Sequence, residues 1–189
     1  MASAVKNRQR LAAVVLLIRD SHTVNPEVLL VKRARHLNSH AGEVGLPGGM
    51  VEPCDESLWH TALREAEEEV GLVPNTVLLQ QPLVHAFTRQ GVEVAPFVAL
   101  WQQEHPLRLC SEEIESAFWL PLTFLKRDER LRTDIFTRRT SEYWAPAYRF
   151  AGHIIWGFTA RLLVEYMNTC HETSIGRNHQ APVARFKSA

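Results

Sequence analysis

Two runs rich in Val, Ile and Leu open the chain, at residues 12–18 and 28–32, with polar, turn-forming residues 20–26 between them. That pattern predicts two paired strands. From Arg33 to Gly49 no hydrophobic period survives, and Gly42, Gly45, Pro47, Gly48 and Gly49 punctuate a long irregular loop, the kind of segment on which function concentrates. Over residues 56–70 the period becomes helical: Trp59, Ala62, Leu63, Ala66 and Val70 share one face, and Gly71 supplies the stop. Further strands are expected at 77–80, 92–101, 117–120 and near Tyr148, with a short helix after Pro121. A second long helix is expected over 154–167, where Ile155, Phe158, Leu162, Leu163 and Tyr166 keep helical spacing.

This order of elements predicts an α/β fold, a mixed β-sheet sandwiched between α-helices, spanning residues 11–170. Residues 1–10 form an N-terminal extension. After Cys170 the chain turns polar and aperiodic, so residues 171–189 are expected to be a flexible tail.

Composition narrows the partners. With 46% apolar and 22% charged residues the chain has ordinary globular usage, and 189 residues suffice for one well-buried core. Lys plus Arg and Asp plus Glu both number 21, with no block of like charge. Such a chain has no broad field for extended nucleic acid, but a few placed cations can hold a small phosphorylated ligand. The apolar residues 11–18 are too few to cross a bilayer, so no membrane partner is expected. Cys54, Cys110 and Cys170 are odd in number and form no C-x-x-C pair, which argues against a disulfide framework or a zinc site and for a reducing compartment. The cytoplasm is the default location, and the basic residues of segment 1–10 are compatible with an organellar address. Monomer and homodimer both stay open.

The chemistry concentrates in Arg64-Glu65-Ala66-Glu67-Glu68-Glu69-Val70-Gly71-Leu72. Glu65, Glu68 and Glu69 fall at i, i+3 and i+4, within one arc away from Leu63, Ala66 and Val70, while Glu67 points elsewhere. Like charges so placed destabilise a helix by roughly 0.2–0.5 kcal/mol per pair unless a cation lies between them. An all-oxygen donor set suits Mg²⁺ or Mn²⁺. Arg64 can pair with a carboxylate and orient it, and Pro47-Gly48-Gly49 can bring backbone donors close to a phosphate.

The stretch from Gly49 through Leu72 resembles the Nudix box, G-x5-E-x7-R-E-U-x-E-E-x-G-U with U aliphatic. Glu56, Arg64, Glu65, Glu68, Glu69, Gly71 and Leu72 match, although six residues instead of five separate Gly49 from Glu56. The upstream loop is similar to the coenzyme A diphosphatase branch of that family: Arg33, Leu37, His40, Gly42, Glu43 and Val44 match its signature, as does Thr61-Ala62-Leu63-Arg64-Glu65. Ala34 and Leu46 depart from it. Ser111-Glu112-Glu113-Ile114 and Ile155-Trp156-Gly157-Phe158-Thr159-Ala160 also look like that branch.

The resemblance implies a Nudix fold in which Glu65, Glu68 and Glu69 hold the divalent ion and Arg64 belongs to the catalytic set. The general base is then Glu68, Glu69 or, from outside the box, Glu113, with Glu112 as its rival. Arg33, His40 and Glu43 are assigned to the substrate or to the shape of the loop, and Gly48 and Gly49 to the substrate or to turning alone. His36 and His40 have helical ligand spacing in a segment too glycine-rich for a helix, which removes a zinc site. Trp156 and Phe158 are expected to pack the last helix, Cys54 is incidental, and Arg89 is a candidate for an additional phosphate. The implied reaction is hydrolysis of coenzyme A, or a derivative, to (acyl-)phosphopantetheine and adenosine 3',5'-bisphosphate. Its rivals are hydrolysis of ADP-ribose, a dinucleotide or an oxidised nucleoside triphosphate, and a nucleotide- or protein-binding module without turnover.

Overall fold

A computed structural model describes residues 10–138 and 141–187. The elements in chain order are β1 (Leu11–Arg19), β2 (Glu27–Arg33), β3 (Val44–Gly45), β4 (Gly48–Met50), α1 (Leu58–Val70), a 3₁₀ turn (Pro74–Thr76), β5 (Val77–Pro82), β6 (Ala86–Phe87), β7 (Glu93–Trp101), β8 (Ile114–Pro121), α2 (Leu122–Arg127), β9 (Arg132–Arg138), β10 (Ser141–Phe150), β11 (His153–Ile155), α3 (Gly157–Cys170) and β12 (Val183–Lys187). The first sheet runs β3-β2-β1-β7-β5, with β4 beside β1, β6 beside β7 and β8 beside β2. Only β1 and β7 pair in parallel within it, so the sheet is mixed.

Period-two burial explains the layers. On β1, Ala13, Val15 and Leu17 meet Ala62, Ala66 and Val70 of α1, while Leu16 and Ile18 face the opposite way into a core shared with Leu162, Leu163 and Met167 of α3. A strand buried on both faces reads as a continuous apolar run, as residues 12–18 do. The expected α/β sandwich is therefore present, with one long helix on each face.

Two boundaries move. Helix α1 starts at Leu58, because Ser57 accepts a hydrogen bond from the His60 N–H (3.1 Å) and caps it. The expected helix over 154–167 splits: Ile154 and Ile155 pair with Arg149 and Tyr148 in a strand, and α3 begins only at Gly157, whose φ of 59° breaks the extended run.

The C-terminal segment is not the frayed tail its polarity suggested. Strand β12 lies parallel to β9, extending a second sheet of order β11-β10-β9-β12. Ile175 is buried, and Arg130 donates to the Gly176 carbonyl (3.0 Å). Phe186 stacks on Phe136 with ring centroids 5.2 Å apart. Most of the N-terminal extension, residues 1–9, lies outside the described residues. Among the described residues, no helix is long and apolar enough to cross a membrane.

Candidate active site

The site forms where β1 changes partners. Along one edge of β1, Ala12, Ala13 and Val14 pair with β4, whereas Ile18 and Arg19 pair with β2. Between them the Val15 N–H donates to the carbonyl of Pro47 (2.9 Å). The glycine-rich loop is thus pressed onto β1. Gly48 has a φ of 144°, and a Cβ there would run into the carbonyl of Ala13. A Cβ on Gly49 would occupy the place of the Glu65 carboxylate. Gly48 requires glycine for both room and conformation, whereas at Gly49 the constraint is room alone, against a side chain that can shift.

Helix α1 supplies the carboxylates, and its end is fixed by Gly71 in the left-handed region, whose N–H bonds the Glu67 carbonyl while Leu72 N–H bonds that of Ala66. The three glutamates expected to share one arc are not equivalent. Glu69 is buried, its side chain only 2% exposed. It accepts from the Gly48 N–H (3.0 Å) and from Arg33 (3.2 Å). Glu65 is half-buried, and Glu68 is 57% exposed. Burial, partly opposed by the Gly48 N–H and the Arg33 charge, pushes the Glu69 carboxyl up to about 7. Burial also raises Glu65, against the pull of Arg64.

Arg64 organises the helix face. Its guanidinium reaches Asp55 through Nε (2.9 Å) and Nη2 (3.1 Å), and also Glu65, Glu68 and the carbonyl of Met50, each at 3.1 Å. Asp55 was missed in the sequence. Its carboxylate is fully buried and also accepts from Thr61 Oγ1 (2.9 Å) and the Glu52 N–H (2.8 Å). The Arg64 hydrogen bonds hold it well below the usual carboxylate range. Glu56, the residue that matches the box, is exposed instead. The extra residue between Gly49 and Glu56 brings Asp55 rather than Glu56 to the arginine. The available signal was Asp55 placed just ahead of a Ser57 cap and nine residues before Arg64.

Other expected residues divide. Glu113 comes to the site: Ala34 N–H bonds its carbonyl (2.8 Å), and its charge lies near enough to raise both Glu65 and Glu69. Arg33 contacts Glu69, and the loop beyond it is closed by Arg33 N–H to Glu43 O (3.0 Å) and Gly42 N–H to Arg33 O (3.1 Å). His40 and Glu43 pair with each other (2.7 Å) on the exposed loop. Glu112, Cys54 and Arg89 are exposed. All three cysteines are unbridged. Phe158 packs against the cores on the α3 face of the sheet, and Trp156 lies 6.4 Å from the Phe186 ring.

A cation fits the donor set by its chemistry. As the side chains lie, no three described carboxylates converge on one point, since Arg64 occupies Glu65 and Glu68. The donors are all oxygen, and Glu65, Glu69 and Glu113 repel one another, which a hard dication would relieve. Glu68, being exposed, re-aims by side-chain rotation alone.

The chain is 33% identical over 167 residues to the "Uncharacterized Nudix hydrolase NudL" of Enterobacter sp. (strain 638), covering 87% of this chain and 84% of that protein. The NudL of Salmonella typhimurium is similar to the same extent. In fold, it is similar to a MutT/nudix family protein from Enterococcus faecalis (TM-score 0.56, 16% identity, covering 92% of this chain and 66% of the other). It is also similar to a C. elegans Ap4A hydrolase (TM-score 0.52, 21% identity, covering 61% of this chain and 83% of the other). The NUDIX domain profile matches residues 8–140, which take in the glycine loop, α1 and Glu113. With its box laid on the glycine loop and helix just described, this chain belongs to the Nudix family.

Proposed function

We propose that this Nudix domain hydrolyses the diphosphate linkage of coenzyme A or an acyl derivative, giving (acyl-)phosphopantetheine and adenosine 3',5'-bisphosphate. The observation that carries the reading is the join of signature loop to carboxylate helix: Arg33 and Gly48, from the loop that resembles the coenzyme A branch, both bond Glu69. The loop and the helix act as one unit, so loop identity bears on what the glutamates meet.

In this reading Glu65, Glu68 and Glu69 hold Mg²⁺ or Mn²⁺, which when bound offsets phosphate charge and acidifies the attacking water. Arg64, anchored by Asp55, keeps the helix carboxylates in register. Gly48 and Gly49 press the loop onto β1 and Glu65 and so set where the backbone meets the phosphates, and His40 and Glu43 border that approach. Water attacks one phosphorus, the bridging P–O bond breaks, and the departing phosphate carries the bond's electrons. Glu113 takes the water proton, with Glu68 and Glu69 engaged as ligands; its position beside Glu65 and Glu69 supports that assignment.

The test is to incubate the protein with Mg²⁺ or Mn²⁺ and coenzyme A, with ADP-ribose and NADH in parallel, identifying products by mass. Adenosine 3',5'-bisphosphate forming fastest from coenzyme A is the expected result. Intact coenzyme A beside another cleaved substrate overturns the specificity, and no turnover across the panel overturns the enzymatic reading.

A further inference from the structure

On the α3 face of the first sheet lies a cavity of about 380 Å³, bordered by Val84, His85 and Phe87 from the β6 segment and by Arg161, Leu162 and Glu165 from α3. Its position relative to the glycine loop follows from strand register. Met50, Ala12, Val94 and Ala86 stand side by side across β4, β1, β7 and β6. Three strand spacings, roughly 14 Å in all, therefore separate the end of the glycine loop from the cavity. An extended nucleotide bridges such a span.

Arg161 is the unusual group there. Six other Lys or Arg side chains among the described residues are at least half-buried, and each has a carboxylate at ion-pairing distance: Arg19, Lys32, Arg33, Arg64, Arg130 and Arg132. Arg161 is also half-buried, yet among the described residues no carboxylate reaches that distance. It donates to the Phe87 carbonyl (3.0 Å), and its guanidinium carbon lies 5.3 Å from the Phe158 ring centroid and 5.4 Å from that of Tyr143. The rings and the carbonyl fix where the fork points without neutralising its charge. Burial pulls the guanidinium pKa down, and the charges of Tyr143 and Glu165 offset that only in part. Glu165, on the rim, is exposed, and His85 is tied to Glu93 (2.8 Å). A guanidinium fixed beside a cavity by rings and a carbonyl, with no carboxylate in ion-pairing contact among the described residues, is suited to hold an anion. Phe87, half-exposed beside it, offers a face to a planar ring.

We propose that Arg161 binds the phosphate monoester on the ribose of the substrate's nucleotide half and so sets a preference for nucleotides that carry this group. The assignment rests on the coenzyme A reading above and names which half of that substrate faces α3. Arg161 is a specificity residue, remote from the bond that breaks.

The experiment compares coenzyme A with 3'-dephospho-coenzyme A as substrates of the wild-type protein and of Arg161→Gln and Arg161→Lys. For the wild type, kcat/KM should favour coenzyme A by roughly 10- to 100-fold, the range of a charge-assisted hydrogen bond. The Gln variant should bring the ratio close to one, chiefly through KM for coenzyme A, and the Lys variant should retain part of it. A ratio unchanged in Arg161→Gln, or absent in the wild type, overturns the inference while leaving coenzyme A hydrolysis standing. If neither compound is cleaved, calorimetry with adenosine 3',5'-bisphosphate and AMP still decides. Tighter binding of the bisphosphate that vanishes in Arg161→Gln supports the site, and equal binding, or none, overturns it.

Discussion

Arg64 and Arg161 lie on opposite faces of the same central strands, and the protein treats them in opposite ways. Arg64 is enclosed by carboxylates, with Asp55 fully buried against it, so its energy is spent within the fold. Arg161 has two rings and a carbonyl to hold it in place, and among the described residues no carboxylate in ion-pairing contact, with Glu165 acting only from a distance. A buried cation with a complete set of partners is an element of structure, whereas one positioned without them is available to a ligand. The first kind fails when a partner is removed; the second kind fails when the ligand changes.

The largest effect should come from the carboxylates themselves. Glu68→Gln and Glu69→Gln should each lower turnover by about 10²–10⁴-fold with circular dichroism unchanged. Near-normal rates in both variants would remove the metal-holding role. Next is the partner of Arg64. Asp55→Asn leaves a buried guanidinium short of its main anion and should cost about 3–5 kcal/mol in urea unfolding. The same pair sets an acid limit. Because Asp55 titrates lower in the folded protein than in the unfolded chain, its contribution is intact above about pH 4 and is lost as the pH falls further. A wild-type stability profile that stays flat below pH 4, or one that matches that of Asp55→Asn, would contradict the pairing.

Smaller effects sharpen the contrast. Gly49→Ala pushes on the Glu65 carboxylate and should cost about 1–3 kcal/mol while weakening Mn²⁺ binding measured by calorimetry. Arg161→Gln should cost at most about 1 kcal/mol of stability, the worth of its ring contacts, because it orphans no carboxylate. A loss as large as that of Asp55→Asn would mean that Arg161 is a structural arginine like Arg64.

What could be read in the chain follows from how local each feature is. Helix α1 announces itself because its apolar face, its acidic face and its glycine stop all lie within a few turns. Asp55 does not, since its importance comes from burial in an irregular turn, and an aspartate in such a turn looks the same whether it is solvated or enclosed. Strand β9 hides for the opposite reason: Thr133 and Asp134 are fully buried beside Ile135 and Phe136, so polar residues occupy positions that alternation assigns to apolar ones. Its partner β12 is equally obscure, because five residues hold too few alternations to count and the pairing strand is far away in sequence. The two glutamates of equal promise, Glu68 and Glu69, separate only in three dimensions, where the glycine loop closes over one and leaves the other in water.

The distance between β9 and β12 also has a consequence in time. A chain emerging from the ribosome has all eight strands of the first sheet once Pro121 is out, and α3 soon after, but β9 must wait for residues 183–187 before its outer edge is paired. During that interval the nascent protein carries the glycine loop and the helix glutamates while still exposing an open strand. Synthesis, on this account, delivers the chemistry before it completes the second sheet, and when β12 arrives the open edge passes from β9 to a shorter strand.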